Sequence, residues 1–271
     1  MLKQRIITAL LLLPIALGGF FYLAGPLFAL FIGAVVTLAA WEWARLAGFA
    51  GQVQRVAYAA GVAALLYGAW LLPVVAPWLL AAAVLWWLLA TALVLSYPQS
   101  SRYWGGLPGK LLIGLLILLP AWQGLVLLKQ WPQANALIIA VMVLVWAADI
   151  GAYFAGKTFG KRKLAPRVSP GKSWEGFYGG LATSLLITLA VGLQQGWSAG
   201  GLFLALGGAA LVVAVSVIGD LTESMFKRQS GIKDSSNLLP GHGGVLDRID
   251  SLTAAVPLFA VLLWLAGWGS L

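Results

Sequence analysis

The sequence predicts an all-α, polytopic membrane protein, and three observations carry the prediction. Of 271 residues, 61% are hydrophobic and 9% charged, and the apolar residues fall in long runs. Each run approaches the roughly 20 residues that a helix needs to cross the hydrocarbon core. Short segments of alternating polarity, the mark of a transmembrane barrel, are absent. A backbone in lipid must satisfy its own hydrogen bonds, so helices are the remaining solution.

Nine spans can be drawn, at 6–23, 27–44, 56–72, 77–95, 111–128, 134–154, 177–193, 202–218 and 252–268. The first follows MLKQR and imitates a secretory signal peptide. Its apolar run continues to Tyr22 without a convincing small-x-small cleavage site, so it reads as a retained span. Ala24, Gly25 and Pro26 join it to the second span by a tight turn between antiparallel helices. Trp41, Trp43, Trp70, Trp78, Tyr97, Trp104, Trp131, Trp197 and Trp268 crowd the span ends, as interfacial belts do. No internal repeat appears, which argues against a transporter built from two similar halves. The absence of cysteine removes disulfides and thiolate metal sites.

Loop charges orient the chain. With the N-terminus in the cytoplasm, the inside collects Lys3, Arg5, Arg45, Arg55, Arg102, Lys110, Lys157, Lys161, Arg162, Lys163, Arg167, Lys172, Lys227, Arg228, Lys233 and Arg248. That is sixteen of the seventeen basic residues, and only Lys129 stays outside. An odd number of spans sends the C-terminus to the opposite side. The formal charge of +9 is thereby explained by topology, and no nucleic-acid partner is expected. Residues 1–110 read as an N-terminal transmembrane scaffold. Residues 111–271 read as the catalytic region, with cytoplasmic loops 157–176 and 219–250.

The chemistry concentrates at 219–250. This stretch holds five of the eight acids (Asp220, Glu223, Asp234, Asp247, Asp250), the only histidine, His242, and Lys227, Arg228, Lys233 and Arg248. Asp220, Glu223, Ser224 and Lys227 fall at i, i+3, i+4 and i+7, so a helix continuing from the eighth span places them on one face. Asp247, Asp250 and Ser251 repeat the spacing at the start of the last span. Carboxylates brought together need cations or protons. Oxygen donors without thiolates suit a hard cation, and Mg²⁺ is usually held by one or two carboxylates plus substrate phosphates. The plainer reading is local ion pairs, Asp247 with Arg248 and Glu223 with Lys227. Gly241, Gly243 and Gly244 surround His242 just before a helix start, where backbone N–H groups suit a phosphate; a structural histidine is the alternative.

Two further stretches bear on the site. Asp149 lies near the cytoplasmic end of the sixth span, where a charge costs roughly 2.5–3.5 kcal/mol at a helix centre. It is either an ion-paired or water-facing residue, or the wall of a polar cavity or an outer member of a metal site. Gly151 and Gly156 allow a close helix neighbour there. The loop 157–176 carries six basic residues and one acid. Pro166, Pro170 and Gly171 interleave with Arg167, Ser169, Lys172 and Ser173, a restricted chain offering cations and hydroxyls that suits phosphate; a plain orientation signal is the alternative.

Residues 224–250, SMFKRQSGIKDSSNLLPGHGGVLDRID, resemble the signature of the phosphatidate cytidylyltransferase (CDP-diacylglycerol synthase) family. Its fixed positions are met by Ser224, Lys227, Arg228, Lys233, Asp234, Pro240 or its neighbour Gly241, His242, Gly243, Gly244, Asp247, Arg248 and Asp250. Gly219 and Asp220, and the loop residues Lys163, Pro166, Ser169, Pro170, Lys172, Trp174, Glu175 and Gly176, are similar to that family as well. The likeness covers roughly the second half of the chain; the first four spans match only in being hydrophobic.

The resemblance implies CTP and phosphatidic acid as substrates, and CDP-diacylglycerol and pyrophosphate as products. It implies Mg²⁺, a metal pair held mainly by Asp220 and Asp247, a second, monovalent cation, and a homodimer. Asp250 and Glu223 are the next metal ligands or supports. Lys227, Arg228, Lys233, Arg248 and the basic loop, with Lys163, Arg167, Ser169 and Lys172, would hold phosphates, beside Ser224, His242, Gly243 and Gly244. The expected location is a bacterial inner (plasma) membrane, with the site facing the cytoplasm. A CTP-dependent polyprenol kinase shares these ingredients. A CDP-alcohol phosphotransferase needs a closely spaced four-Asp helix motif that is missing. An anion transporter would place charges in mid-span, whereas almost all charges here lie in loops or at span ends.

Overall fold

The computed structural model describes residues 2–270; the side chains of Lys3 and Arg5 lie outside the described residues. Helix α1 (Leu2–Leu17) runs into a π-helical turn, Gly18–Tyr22. There follow α2 (Gly25–Ala47), α3 (Gln52–Leu71), α4 (Ala76–Leu95), the short α5 (Ser101–Trp104), α6 (Leu107–Gln130) and α7 (Ala134–Phe159). A two-stranded antiparallel hairpin, β1 (Lys163–Ala165) and β2 (Ser169–Ser173), leads to α8 (Trp174–Gln194), α9 (Ala199–Gln229) and α10 (Leu246–Leu265).

The all-α polytopic architecture holds, and every drawn span falls on a helix. Length and composition alone make seven helices apolar enough to cross a membrane: α2, α4, α6, α7, α8, α9 and α10. The first drawn span is a shorter apolar stretch, Leu10–Tyr22. In α3, the polar Gln52, Gln54 and Arg55 occupy the first turn and dilute the run. The sequence signals for the helix ends work as physics requires. Proline enters the first turn of α2, α4 and α6, where its missing N–H costs nothing. Gly48 closes α2 at φ 119°, a conformation that a side chain disfavours.

Packing fixes one end of the bundle. Helix α6 lies among α2, α4 and α10. The Trp43 indole of α2 donates to the Lys110 carbonyl of α6 at 2.8 Å. Phe226 of α9 is wedged between Trp43 and Trp104, with ring centroids 4.7 and 4.4 Å away. Helices α7 and α8 approach closely because Gly151, Gly179 and Gly180 leave no room for a Cβ. Ser184 of α8 donates to the Leu144 carbonyl of α7 at 2.9 Å.

Within the expected basic loop 157–176, residues 157–159 end α7, residues 163–173 form the hairpin and residues 174–176 begin α8. Lys163 pairs with Ser173 and Ala165 with Ser169. Glu175, one residue into α8, closes its base: the carboxylate accepts the N–H groups of Lys161 and Arg162 at 3.1 and 3.2 Å and the Arg162 guanidinium at 3.1 Å. Ser173 then caps α8 by accepting the Gly176 N–H at 3.1 Å.

Candidate active site

The expected helical face is real. Helix α9 runs through Asp220, Glu223, Ser224 and Lys227 without a break, and α10 begins at Leu246, so Asp247 and Asp250 lie in its first turns. The two helices pack together, and the close contact is at Gly219, where a Cβ would stand 2.7 Å from the Asp250 carbonyl. Their acids therefore meet across one seam.

Two lysine ammonium groups offset part of that seam's negative charge. Lys227 Nζ lies 2.8 Å from Asp247 Oδ1 and 3.3 Å from Glu223 Oε1, so it bridges α9 and α10. Lys172, carried by β2, reaches Asp220 Oδ2 at 2.6 Å, and Ser224 donates to Asp220 Oδ1 at 3.2 Å. Glu223 is 3% exposed, and neither of its carboxylate oxygens accepts a hydrogen bond. Asp220, Glu223 and Lys227 are the charged groups acting on Asp250. Lys172 and Asp220 act on Asp149, which is exposed on α7.

Asp247 also organises the loop. Its Oδ2 accepts the Gly244 N–H at 2.7 Å, the Ser235 hydroxyl at 2.8 Å and the Ser235 N–H at 2.9 Å. Gly243 sits at φ 83°, and a Cβ there would approach Asp247 Oδ2 to 2.7 Å. The glycine pair thus lets the loop fold tightly onto a carboxylate. His242 is half-buried, its N–H donating to the Leu239 carbonyl at 2.8 Å, while its Nδ1 is buried without a partner.

The structure brings together Asp220, Glu223, Ser224, Lys227, Asp247, Asp250, Gly243, Gly244 and Lys172. It does not bring the remaining cations to the acids. Lys163, Arg167, Arg228, Lys233 and Arg248 are exposed, and Arg228 Nε donates to the Val168 carbonyl at 3.1 Å, tying the hairpin to α9. Ser169 is half-buried at the start of β2. A cleft of about 230 Å³ opens between the end of α4 and the hairpin, lined by Tyr97, Gln99, Leu164, Arg167 and Val168 among others. A larger cleft of about 420 Å³ lies at the opposite end of the bundle, around Tyr22, Lys129 and Asn135, and no acid lines it.

Sequence reasoning missed one contributor. Glu42 of α2 is fully buried, and its carboxylate reaches into the same loop from the N-terminal half. An acid inside an apolar span is itself a functional signal. That signal was present in AAWEWARL, but the partners lie some 200 residues away in sequence.

Among the described residues, no three acids or histidines stand close enough to cage a metal ion. The donor chemistry nevertheless suits a hard cation. The acids supply oxygen only, the buried Glu223 carboxylate accepts no hydrogen bond and meets only the Lys227 ammonium, and ammonium groups occupy positions where positive charge is needed. Mg²⁺ needs few protein ligands when substrate phosphates supply the others.

A model of the cytidylyltransferase family matches residues 3–266 of this chain. The chain belongs to the cytidylyltransferase family. It is similar to the phosphatidate cytidylyltransferase of Pseudomonas aeruginosa, with 77% identity over 270 residues and 100% of both chains covered. It is similar to that of Haemophilus influenzae at 45% identity, covering 96% of this chain and 98% of the relative. The enzyme of the same name from Brucella suis is 38% identical over 98% of this chain and 93% of the relative. The family likeness therefore extends through α1 to α4, beyond the half that carries the polar signature.

Proposed function

We propose that the chain transfers the cytidylyl group of CTP to phosphatidic acid, giving CDP-diacylglycerol and pyrophosphate. The observation that carries the reading is end-to-end likeness at 77% identity to a relative bearing that activity in its name. The site's chemistry agrees. Such a transfer needs positioning and charge neutralisation more than a covalent protein intermediate, and the seam between α9 and α10 offers paired acids and cations with no nucleophilic thiol. A bond forms between a phosphatidate phosphate oxygen and the α-phosphorus of CTP, and the bond from that phosphorus to the pyrophosphate oxygen breaks. The attacking oxygen is already anionic near neutral pH, so no general base is required.

Asp220 and Asp247 are the residues that would hold Mg²⁺, with Glu223 and Asp250 beside them and a monovalent cation as a second occupant. When bound, such an ion neutralises charge on the attacking and leaving oxygens. Lys172 and Lys227 stand against the same carboxylates, so anionic substrates entering the seam meet ammonium groups already in place. The exposed Lys163, Arg167, Arg228, Lys233 and Arg248 would serve as phosphate ligands once substrate is bound, with Arg supplying a bidentate fork. His242, Ser169, Ser224 and the Gly243 N–H complete the set of polar contacts, while the Gly244 N–H is held by Asp247.

The chain works in this reading as a homodimer in a bacterial inner membrane, its site on the cytoplasmic face. Support for the sidedness is the gathering of sixteen of seventeen cations on one side. The decisive assay supplies purified protein with phosphatidate, labelled CTP and Mg²⁺. Release of pyrophosphate with appearance of CDP-diacylglycerol is the expected outcome. Release of CDP would mark a lipid kinase and overturn the reading.

A further inference from the structure

We propose that Glu42 is a positioning residue for this transfer: from α2 it holds the start of α10 and the 235–246 loop, and so sets Asp247. The proposal rests on Asp247 acting in the reaction. Glu42 Oε1 accepts the Ser236 hydroxyl at 2.5 Å and the Val245 N–H at 3.0 Å. Its Oε2 accepts the Leu246 N–H at 2.7 Å and the Ser235 hydroxyl at 3.2 Å. Four donors thus converge on a carboxylate that is 0% exposed.

The need for this arrangement follows from helix physics. The first N–H groups of a helix lack intrahelical acceptors, and a side chain at the N-cap usually supplies an oxygen. The N-cap of α10 is Val245, which has none. Glu42 provides the acceptor from a different helix, and the positive end of the α10 dipole in turn suits the buried charge. No room exists for a looser fit: a Cβ at Gly244 would overlap both Ser235 Oγ and Glu42 Oε1. The neighbouring contacts come from the same end of α2, Arg45 donating to the Ser235 carbonyl at 3.1 Å and Leu46 accepting the Ser230 hydroxyl at 2.7 Å.

Transmission to Asp247 runs by two short routes. Asp247 directly follows Leu246, whose N–H is held by Glu42. The Ser235 hydroxyl lies between the two carboxylates, 3.2 Å from Glu42 and 2.8 Å from Asp247, with a single proton to share. A displaced Glu42 therefore moves the backbone and the hydroxyl that orient Asp247. A glutamine at this position offers one acceptor oxygen and turns its amide nitrogen towards a donor.

The test compares wild type, Glu42→Gln, Ser235→Ala, the double variant and Asp247→Asn, each in full-length protein purified in detergent. Turnover is normalised to folded protein by size exclusion, with CTP and phosphatidate varied separately. Glu42→Gln should lower kcat by about tenfold or more, the effect of one hydrogen bond to a charged group, with the KM for phosphatidate unchanged. Ser235→Ala should lower kcat about threefold, and the double variant should match Glu42→Gln alone, because both act through Asp247. Wild-type kcat per folded molecule in Glu42→Gln, with only a lower melting point, would overturn the proposal. If Glu42→Gln fails to fold, Ser236→Ala decides, because that hydroxyl donates to Glu42 and not to Asp247: reduced kcat in folded protein supports the proposal, and wild-type kcat overturns it. Full activity in Asp247→Asn would remove the premise itself, a result distinct from failure at Glu42.

Discussion

At the scale of single residues, the acids of the α9–α10 seam differ in what else they do. Asp220 has one lysine and one serine as partners, whereas Asp247 also holds three donors of the loop. Asp220→Asn should abolish CTP-dependent CDP-diacylglycerol formation, by about 100-fold or more, without altering the amount of folded protein. Asp247→Asn should cause the same loss and also lower the melting temperature, since its amide nitrogen must face Lys227 or a loop donor. Paired measurement of product and thermal midpoint in detergent separates the two; near-normal rates in either variant at saturating Mg²⁺ would sink the metal assignment. Arg248 is exposed and free to meet a phosphate, so Arg248→Lys should slow turnover about tenfold although the charge is kept. The seam was legible in the sequence because i, i+3, i+4 and i+7 spacing places acids on one face whatever the tertiary fold. Glu42 was not, because its role exists only through donors brought from the far end of the chain.

At the scale of elements, the helices were readable because each carries a long apolar run with Pro or Gly near its ends. The hairpin at 163–173 was not. Its strands are three and five residues long, too short for a periodic pattern, and a carboxylate from the following helix, Glu175, holds their base. The α7–α8 pair had a partial signal in Gly151 and Gly156, and the actual close contact adds Gly179 and Gly180. That contact yields a prediction about packing rather than chemistry. Gly180→Val would push a branched side chain into the Ala148 carbonyl of α7, an overpacking cost of roughly 1–3 kcal/mol. The thermal midpoint in detergent should fall, and because α7 and α8 flank the hairpin carrying Lys172, activity should fall with it. An unchanged midpoint would show that the two helices can part without consequence.

At the scale of the whole molecule, contacts at the two ends of the bundle bear on how many helices cross, beyond the seven that length and composition mark. Thr8 of α1 donates to the Pro240 carbonyl at 3.0 Å, at the end that holds the site. A turn beyond α1, the Phe20 carbonyl accepts the Lys129 ammonium at the opposite end. Helix α1 therefore traverses the bundle. Helix α2 returns, since Arg45 and Leu46 meet Ser235 and Ser230 of the loop between α9 and α10. Helix α3 then starts at the site end, where Tyr58 donates to the Leu111 carbonyl at 2.8 Å, and α4 comes back to the hairpin cleft lined by Leu95 and Tyr97. These traverses predict that α1 and α3 cross as well, despite their lower apolar content, and that the α2–α3 turn lies on the cytoplasmic side. A chain without cysteine allows a clean check. Single cysteines at Ala50, Lys161 and Gln195 are treated in right-side-out spheroplasts with a membrane-impermeant maleimide. Gln195→Cys should react at once, while Ala50→Cys and Lys161→Cys should react only after permeabilisation. Reaction of Ala50→Cys from outside would leave α1 and α3 lying on the membrane instead of crossing it; reaction of Lys161→Cys from outside would invert the orientation and remove the site from the compartment that holds CTP.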